Sequence, residues 1–137
     1  MTPMSRANKK NYIMIHKYRV WSNNQMYYLA SSQISSIHLR MNNKFWSLYR
    51  GEKRICGNCD NSGELMQFTG KIDIKGVDIY QGDKVIDGTL GDFIVDYDKN
   101  NCSFFLSHSS GVDSCEMMEY DDGVLEVYGN IHEFTNN

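Results

Sequence analysis

The sequence is poor in the signals that mark membrane proteins and familiar enzymes. Its 137 residues hold a single proline, Pro3. Near the N-terminus the longest uninterrupted apolar run is the four residues Tyr12-Ile13-Met14-Ile15, far short of a signal-peptide core or of the roughly 20 residues a membrane span needs. That shortage predicts a soluble, cytoplasmic protein with no membrane partner. There is no G-x-S-x-G elbow, no G-x-x-x-x-G-K-[ST] loop and no G-x-G-x-x-G fingerprint, so serine-nucleophile, nucleotide and dinucleotide chemistries lack the motifs that carry them. A non-enzymatic protein without a cofactor is the expectation. What the chain does have is core material: 41% hydrophobic residues, nine Tyr, six Phe and two Trp. That content excludes wholesale disorder and suits one compact domain, divisible into small subdomains.

Cysteine is scarce, with four residues at 56, 59, 102 and 115. Cys56-Gly57-Asn58-Cys59 has the C-x-x-C spacing that lets two thiolates share one tetrahedral ion when a turn brings them together. The second half of such a site is missing, because Cys102 and Cys115 are far apart and no His makes a second pair of knuckle spacing. Cys56 and Cys59 are therefore weak metal candidates, and reduced thiols in a loop are the expectation.

The net charge of −3 hides an asymmetry. Residues 1–70 carry ten Lys/Arg against three Asp/Glu, and residues 71–137 carry four against fourteen. Such a split fits a polyanion-facing half beside an acidic half, or two halves that neutralise each other within a chain or between protomers stacked head to tail.

Along the chain, residues 1–11 are polar and read as a disordered leader. Tyr18-Arg19-Val20-Trp21 has the β-branched and aromatic content of a strand, and Ser22-Asn23-Asn24 reads as a turn into a second, residues 25–29. Residues 34–49 fit both a helical stripe and an alternating strand. Asn42-Asn43 decides for a hairpin of 36–41 with 44–50, since paired Asn weaken a helix interior but tolerate the left-handed backbone of a tight turn. Residues 51–64 read as a loop. Lys75-Gly76, Gly82-Asp83, Gly88 and Gly91 then punctuate short apolar segments, with further strands at 93–98, 103–106 and 124–131. The fold expected is mainly β: a basic N-terminal β subdomain over 12–64, and an acidic C-terminal subdomain over 65–137 of the small SH3-like barrel type.

Three blocks carry a resemblance: Lys17-Tyr18-Arg19-Val20-Trp21, then Leu65-Met66-Gln67-Phe68-Thr69-Gly70 through Ile79-Tyr80-Gln81-Gly82-Asp83-Lys84-Val85, then Leu125 to Glu133. In order and separation they resemble the signature blocks of the YopX family, from about residue 16 to 134. Ile72, Ile74 and Asp78 depart from the family pattern at surface-turn positions, and the C-x-x-C lies between blocks. The resemblance implies a mostly β protein of bacteriophages and prophages, with two β subdomains and a tendency to form homo-oligomers, in a bacterial host cell. It implies no biochemical activity.

Two kinds of function remain. Asp73, Asp78, Asp83, Asp87 and His132 could in principle do acid–base work or hold a divalent ion, but each Asp sits in or beside a turn, where a carboxylate is favoured for bonding nearby backbone N–H groups. The binding readings go further. Arg19, Arg40, Lys44, Trp46 and Arg50 interleave cations with rings, the combination that holds phosphates while stacking bases. The competing expectation is an interaction module for a host or phage protein, self-assembly and the blunting of a bacterial defence included, with Trp21, Phe45 and Tyr49 as core residues and the cations as solvated exterior. Structural roles are expected for Trp21 between subdomains, for Phe68, Tyr80 and Asp83, and for Gly82 and Gly129 as points of backbone freedom.

Overall fold

The computed structural model describes residues 17–29, 37–89, 91–108 and 114–133. The leader at 1–11 lies outside them. Among the described residues the regular structure is twelve strands and one short 3-10 helix: β1 Tyr18–Ser22, β2 Gln25–Leu29, β3 Ile37–Asn42, β4 Phe45–Arg50, β5 Lys53–Gly57, β6 Glu64–Ile72, β7 Asp78–Tyr80, β8 Asp83–Asp87, β9 Gly91–Asp98, β10 Ser103–His108, β11 Ser114–Glu116, η1 Met117–Glu119 and β12 Glu126–Asn130. The protein is mainly β. No helix among the described residues is long and apolar enough to cross a membrane.

The turns follow from Asn and Gly. Asn23 and Asn24 both take left-handed φ, 51° and 62°. That is the turn geometry whose twist matches the flanking strands, and it registers Ser22 opposite Gln25. Asn43, at φ 56°, closes the β3–β4 hairpin, so Asn42-Asn43 marks a turn and the helical reading is excluded. At Gly82 a positive φ of 89° coincides with close approach, since a Cβ there would lie 3.0 Å from Met66 Sδ. Gly129 differs from expectation: its φ is not positive, and its need is space, a Cβ there meeting Glu133 Oε2 at 3.0 Å beside a bulge in the β12–β8 pairing.

Three antiparallel sheets result, in the orders β2-β1-β6-β7, β3-β4-β5 and β11-β10-β9-β8-β12. Two apolar cores lie between them. Val20, Leu48 and Cys56 form one, with Leu39, Trp46, Ile55 and Leu65 packed against it. Ile79, Val85, Phe93, Val95, Leu106, Met117 and Leu125 form the other. The first sheet contributes to both, through Val20 and Leu65 on one side and Ile79 on the other.

Two expectations change. The segment 51–64 is not all loop, because β5 pairs with β4 inside it and carries Cys56 into the first core. The expected division at 64/65 falls at the start of β6, which pairs with β1. Charge changes sign along the chain where the sheet does not break. Hydrogen bonding in a ladder is blind to the net charge of the segment that supplies it, so the composition shift could not locate the sheet boundary.

Asp73 ties the turn after β6 to β12. Its buried carboxylate accepts from the N–H groups of Lys75 and Val77 on Oδ1, both at 2.8 Å, and from Val127 N–H on Oδ2 at 3.1 Å. Burial pushes this carboxyl up, but the N–H groups of Val77, Val127 and Lys75 outweigh it and leave the group below its ordinary value. Its contribution to stability is therefore full above the unfolded pKa of about 4 and lost as pH falls through the lower folded value. Asp73→Asn keeps an acceptor for the turn but presents an amide NH2 to Val127 N–H. The expected result is a loss of about 1–3 kcal/mol at neutral pH with a flatter acid limb in urea melts recorded from pH 2 to 7. Unchanged acid sensitivity would remove Asp73 from this role.

Candidate functional site

The β3–β4 hairpin carries most of the sequence-predicted binding residues, but on two faces. In the pairing, His38 lies opposite Tyr49 and Arg40 opposite Ser47, while Leu39 faces Leu48 and Met41 faces Trp46. Side chains alternate across a strand, so His38, Arg40 and Tyr49 share the outer face and Trp46 shares the inner one. Trp46 packs against the first core. Arg50 is exposed at the far end of β4, beside Lys53 across the β4–β5 turn and on the side of the hairpin away from Arg40. Lys44 lies in the turn rather than in the strand, with its Nζ 5.9 Å from the centre of the Phe45 ring.

The outer face is internally organised. The Arg40 guanidinium sits 4.1 Å from the Tyr49 ring centre, His38 stacks on the same ring at 5.7 Å and 13°, and Arg40 Nε donates to His38 Nε2 at 3.3 Å. One ring thus supports both polar neighbours, a cation–π and stacking arrangement. None of Arg40, Lys44, Arg50 and Lys53 has a carboxylate at ion-pair distance among the described residues. Arg54 does: it bonds Asp60, and this bond holds the Asp60 carboxyl far below the usual carboxylate range.

Arg19 departs furthest from expectation. It is not a surface cation: it is 3% exposed and pairs through Nη2 with Asp83 Oδ1, itself 2% exposed, at 2.8 Å. The same Nη2 donates to the Gln81 carbonyl at 3.2 Å, and the guanidinium lies 4.8 Å from the Tyr80 ring centre. Asp83 Oδ2 accepts from Tyr80 N–H at 2.7 Å. Burial raises the Asp83 carboxyl above its ordinary value against the opposing pull of Arg19 and of that N–H. The Tyr80 hydroxyl is pushed up to about 12, by burial first and then by Asp78. The pair is β1 bound to the start of β8, an internal clamp that no local pattern around either residue announces. Trp21 stacks on His132 at 4.8 Å and 7°, and His132 Nε2 lies 2.6 Å from Glu64 Oε2. The ring expected between subdomains thus joins β1 to the turn after β12.

The four aspartates do not gather at one site, although Asp78 and Asp83 line the same cavity. Asp73 caps a turn, Asp78 pairs with Lys17 at 3.0 Å, Asp83 pairs with Arg19, and Asp87 accepts from the Tyr120 hydroxyl at 2.8 Å. Cys56 is buried in the first core while Cys59 is exposed in the following turn, accepting from Arg54 Nη2 at 3.4 Å. Among the described residues no three His, Cys, Asp or Glu side chains form a group able to hold a metal.

Fold and site together define a small antiparallel β protein with two cores among its described residues, an exposed hairpin that carries Arg40, Lys44 and Arg50 at different positions, and a buried Arg–Asp clamp. The chain belongs to the YopX family, whose model, described as YopX protein, matches residues 17–136. No curated protein matches it. Among solved structures, the crystal structure of YopX from Bacillus subtilis superposes with a TM-score of 0.59 at 21% identity, covering 84% of this chain and 91% of that one. The protein EF1440 from Enterococcus faecalis gives 0.49 at 19% identity, over 88% of this chain and 95% of its own. The Bacillus subtilis likeness is one of fold, and it agrees with the mainly β architecture.

Proposed function

We propose that the chain is a non-enzymatic protein-binding module of phage origin, whose outer hairpin face docks on an acidic protein surface of a host, of the phage or of a second copy of itself. The observation that carries this reading is the state of the rings around Arg40. Base stacking needs an open aromatic face. Tyr49 is covered by Arg40 and His38, and Trp46 is packed inward, which leaves Phe45 as the exposed ring beside cations that lack carboxylate partners. A single open ring among several cations gives little for successive bases to stack on, which favours complementarity to carboxylates over single-stranded nucleic acid. The second half of the chain is strongly acidic in sequence, with four Lys/Arg against fourteen Asp/Glu. Contacts between unlike patches of identical chains are head to tail and build rings or filaments.

The test compares the protein with its Arg40→Glu/Lys44→Glu variant by sedimentation velocity over a salt series, with fluorescence anisotropy of labelled single-stranded DNA and RNA alongside. Association that weakens with salt and disappears in the folded variant is expected, with no oligonucleotide binding at physiological salt. Oligonucleotide binding that falls steeply with salt and is lost in the variant would replace this reading with a nucleic-acid one.

A further inference from the structure

Four of the exposed aliphatic side chains stand together where the turn after β6 meets the segment leading into β12: Ile72, Ile74, Val77 and Val124, with Ile74 60% exposed. Backbone bonds hold these residues side by side. Gly123 N–H donates to the Ile72 carbonyl at 3.1 Å, Ile74 N–H to the Leu125 carbonyl at 2.8 Å, and Asp73 N–H to the Val77 carbonyl at 2.8 Å. Apolar side chains exposed singly are ordinary, but four in one place mark a surface that another surface covers. Asp121 and Asp122 border the patch, Asp122 through an Oδ1 that accepts from Ile72 N–H at 3.0 Å. Neither has a cation at ion-pair distance among the described residues. The nearby lysines are engaged, Lys75 with Glu126 at 3.0 Å and Lys71 with the Tyr120 carbonyl at 2.6 Å.

The tip of the β3–β4 hairpin is the counterpart of this patch. Phe45 lies opposite Asn42, so its ring shares the outer face with Arg40. Lys44 Nζ stands 5.9 Å from the same ring centre. The ring is 49% exposed, and neither cation has a carboxylate at ion-pair distance among the described residues. The tip is thus an apolar ring accompanied by two cations, and the patch an aliphatic surface bordered by two carboxylates. Phe45, Ile74, Val77 and Val124 all remain exposed, so tip and patch do not meet within one chain.

From this match we infer that the Ile72–Ile74–Val77–Val124 patch receives the β3–β4 hairpin tip of a second copy of the chain, Phe45 against the aliphatics and Arg40 and Lys44 beside Asp121 and Asp122. The inference rests on the protein-binding reading and names both the partner and the place on it. Patch against patch would bury the same aliphatics but bring the unpaired carboxylates of two copies together, and tip against tip would do so with the cations. Like charges in one interface suppress it. Tip on patch matches apolar to apolar and cation to carboxylate. Because the two surfaces differ, each copy gives one and receives the other, and the contact runs head to tail.

The experiment is sedimentation velocity of the full chain over a concentration series, beside Arg40→Glu/Lys44→Glu and Ile74→Ser/Val124→Ser, all at exposed positions, with each variant's fold checked by its NMR spectrum. The wild type is expected to grow past a dimer. Each variant alone is expected to associate about tenfold more weakly or less still, and Phe45→Ser, an uncharged change at the tip, to weaken association likewise. An equimolar mixture of the two double variants is expected to form a 1:1 dimer and stop there, because one brings an intact patch and the other an intact tip. A mixture that stays monomeric overturns the inference. So does an Ile74→Ser/Val124→Ser variant that associates like the wild type; if Arg40→Glu/Lys44→Glu still fails to associate, the protein-binding reading survives with its acceptor elsewhere. A wild type that is monomeric throughout also overturns the inference, leaving host or phage proteins as partners of the hairpin, whereas oligonucleotide binding by the hairpin overturns the underlying reading itself.

Discussion

Arg19→Met is expected to destabilise the protein by about 3–5 kcal/mol, the cost of leaving a buried charge without its partner. The substitution retains much of the side-chain volume and removes the cation, so Asp83 stays behind in an apolar setting. Its carboxyl, already raised by burial, rises further once the opposing pull of Arg19 is gone. The sign of the pH effect follows. With the folded pKa above the unfolded one, the folded state holds the proton more tightly, so stability is greatest below the unfolded value of about 4 and is lost as pH rises through the folded value. The variant is therefore expected to recover stability on acidification relative to the wild type. Urea titrations of both proteins between pH 3.5 and 8 measure this directly. An Arg19→Met/Asp83→Leu double variant is expected to be less destabilised than Arg19→Met alone, because no buried charge is stranded. A double variant that is worse than the single one would mean that the pair holds β1 to β8 by geometry that apolar packing cannot replace.

Leu48→Ala is expected to cost about 2–5 kcal/mol, the sum of lost apolar transfer and a residual cavity. Leu48 is fully buried at the centre of the core that joins the β3-β4-β5 sheet to β1 and β6. The loop that follows that sheet is tied to β1 by the Ser22 hydroxyl, which donates to the Ser62 carbonyl at 2.6 Å. The loss should therefore be uneven. Hydrogen exchange is expected to show β3, β4 and β5 amides losing protection first, while β8, β9 and β10, built around Val85, Phe93, Val95 and Leu106, keep theirs. Equal loss across both regions would mean that the two cores unfold as one unit.

The legible parts of the sequence are those in which chemistry is local. Asn23-Asn24 and Asn42-Asn43 mark tight turns because an Asn side chain tolerates the left-handed backbone, and the structure places three of these four residues there. The segments 93–98, 103–106 and 124–131 read as strands because apolar alternation has the period of a strand, and they correspond to β9, β10 and β12. The family blocks were legible for a similar reason, since each is a run of turn and strand residues in a fixed order. β5 was missed because Lys53-Arg54-Ile55-Cys56-Gly57 begins with two cations and ends on glycine. Its two long cations keep their charges near water while Cys56 enters the core. Among the site residues, Arg40 and Lys44 are exposed, Lys44 in the turn rather than in the strand, and the ring expected beside them was Trp46 while the ring against Arg40 is Tyr49.

By itself, then, the sequence determined the mainly β class, the positions of the tight turns and the family, because backbone conformation and side-chain alternation are set within a few residues. Only the tertiary structure decided that Arg19 is a clamp and not a contact, that Asp83 is its counter-charge, and that tyrosines from β2, β7 and β12 meet around one cavity. A cation's role depends on what lies within a few ångströms of it, and in an antiparallel β protein those neighbours come from strands far away in the chain.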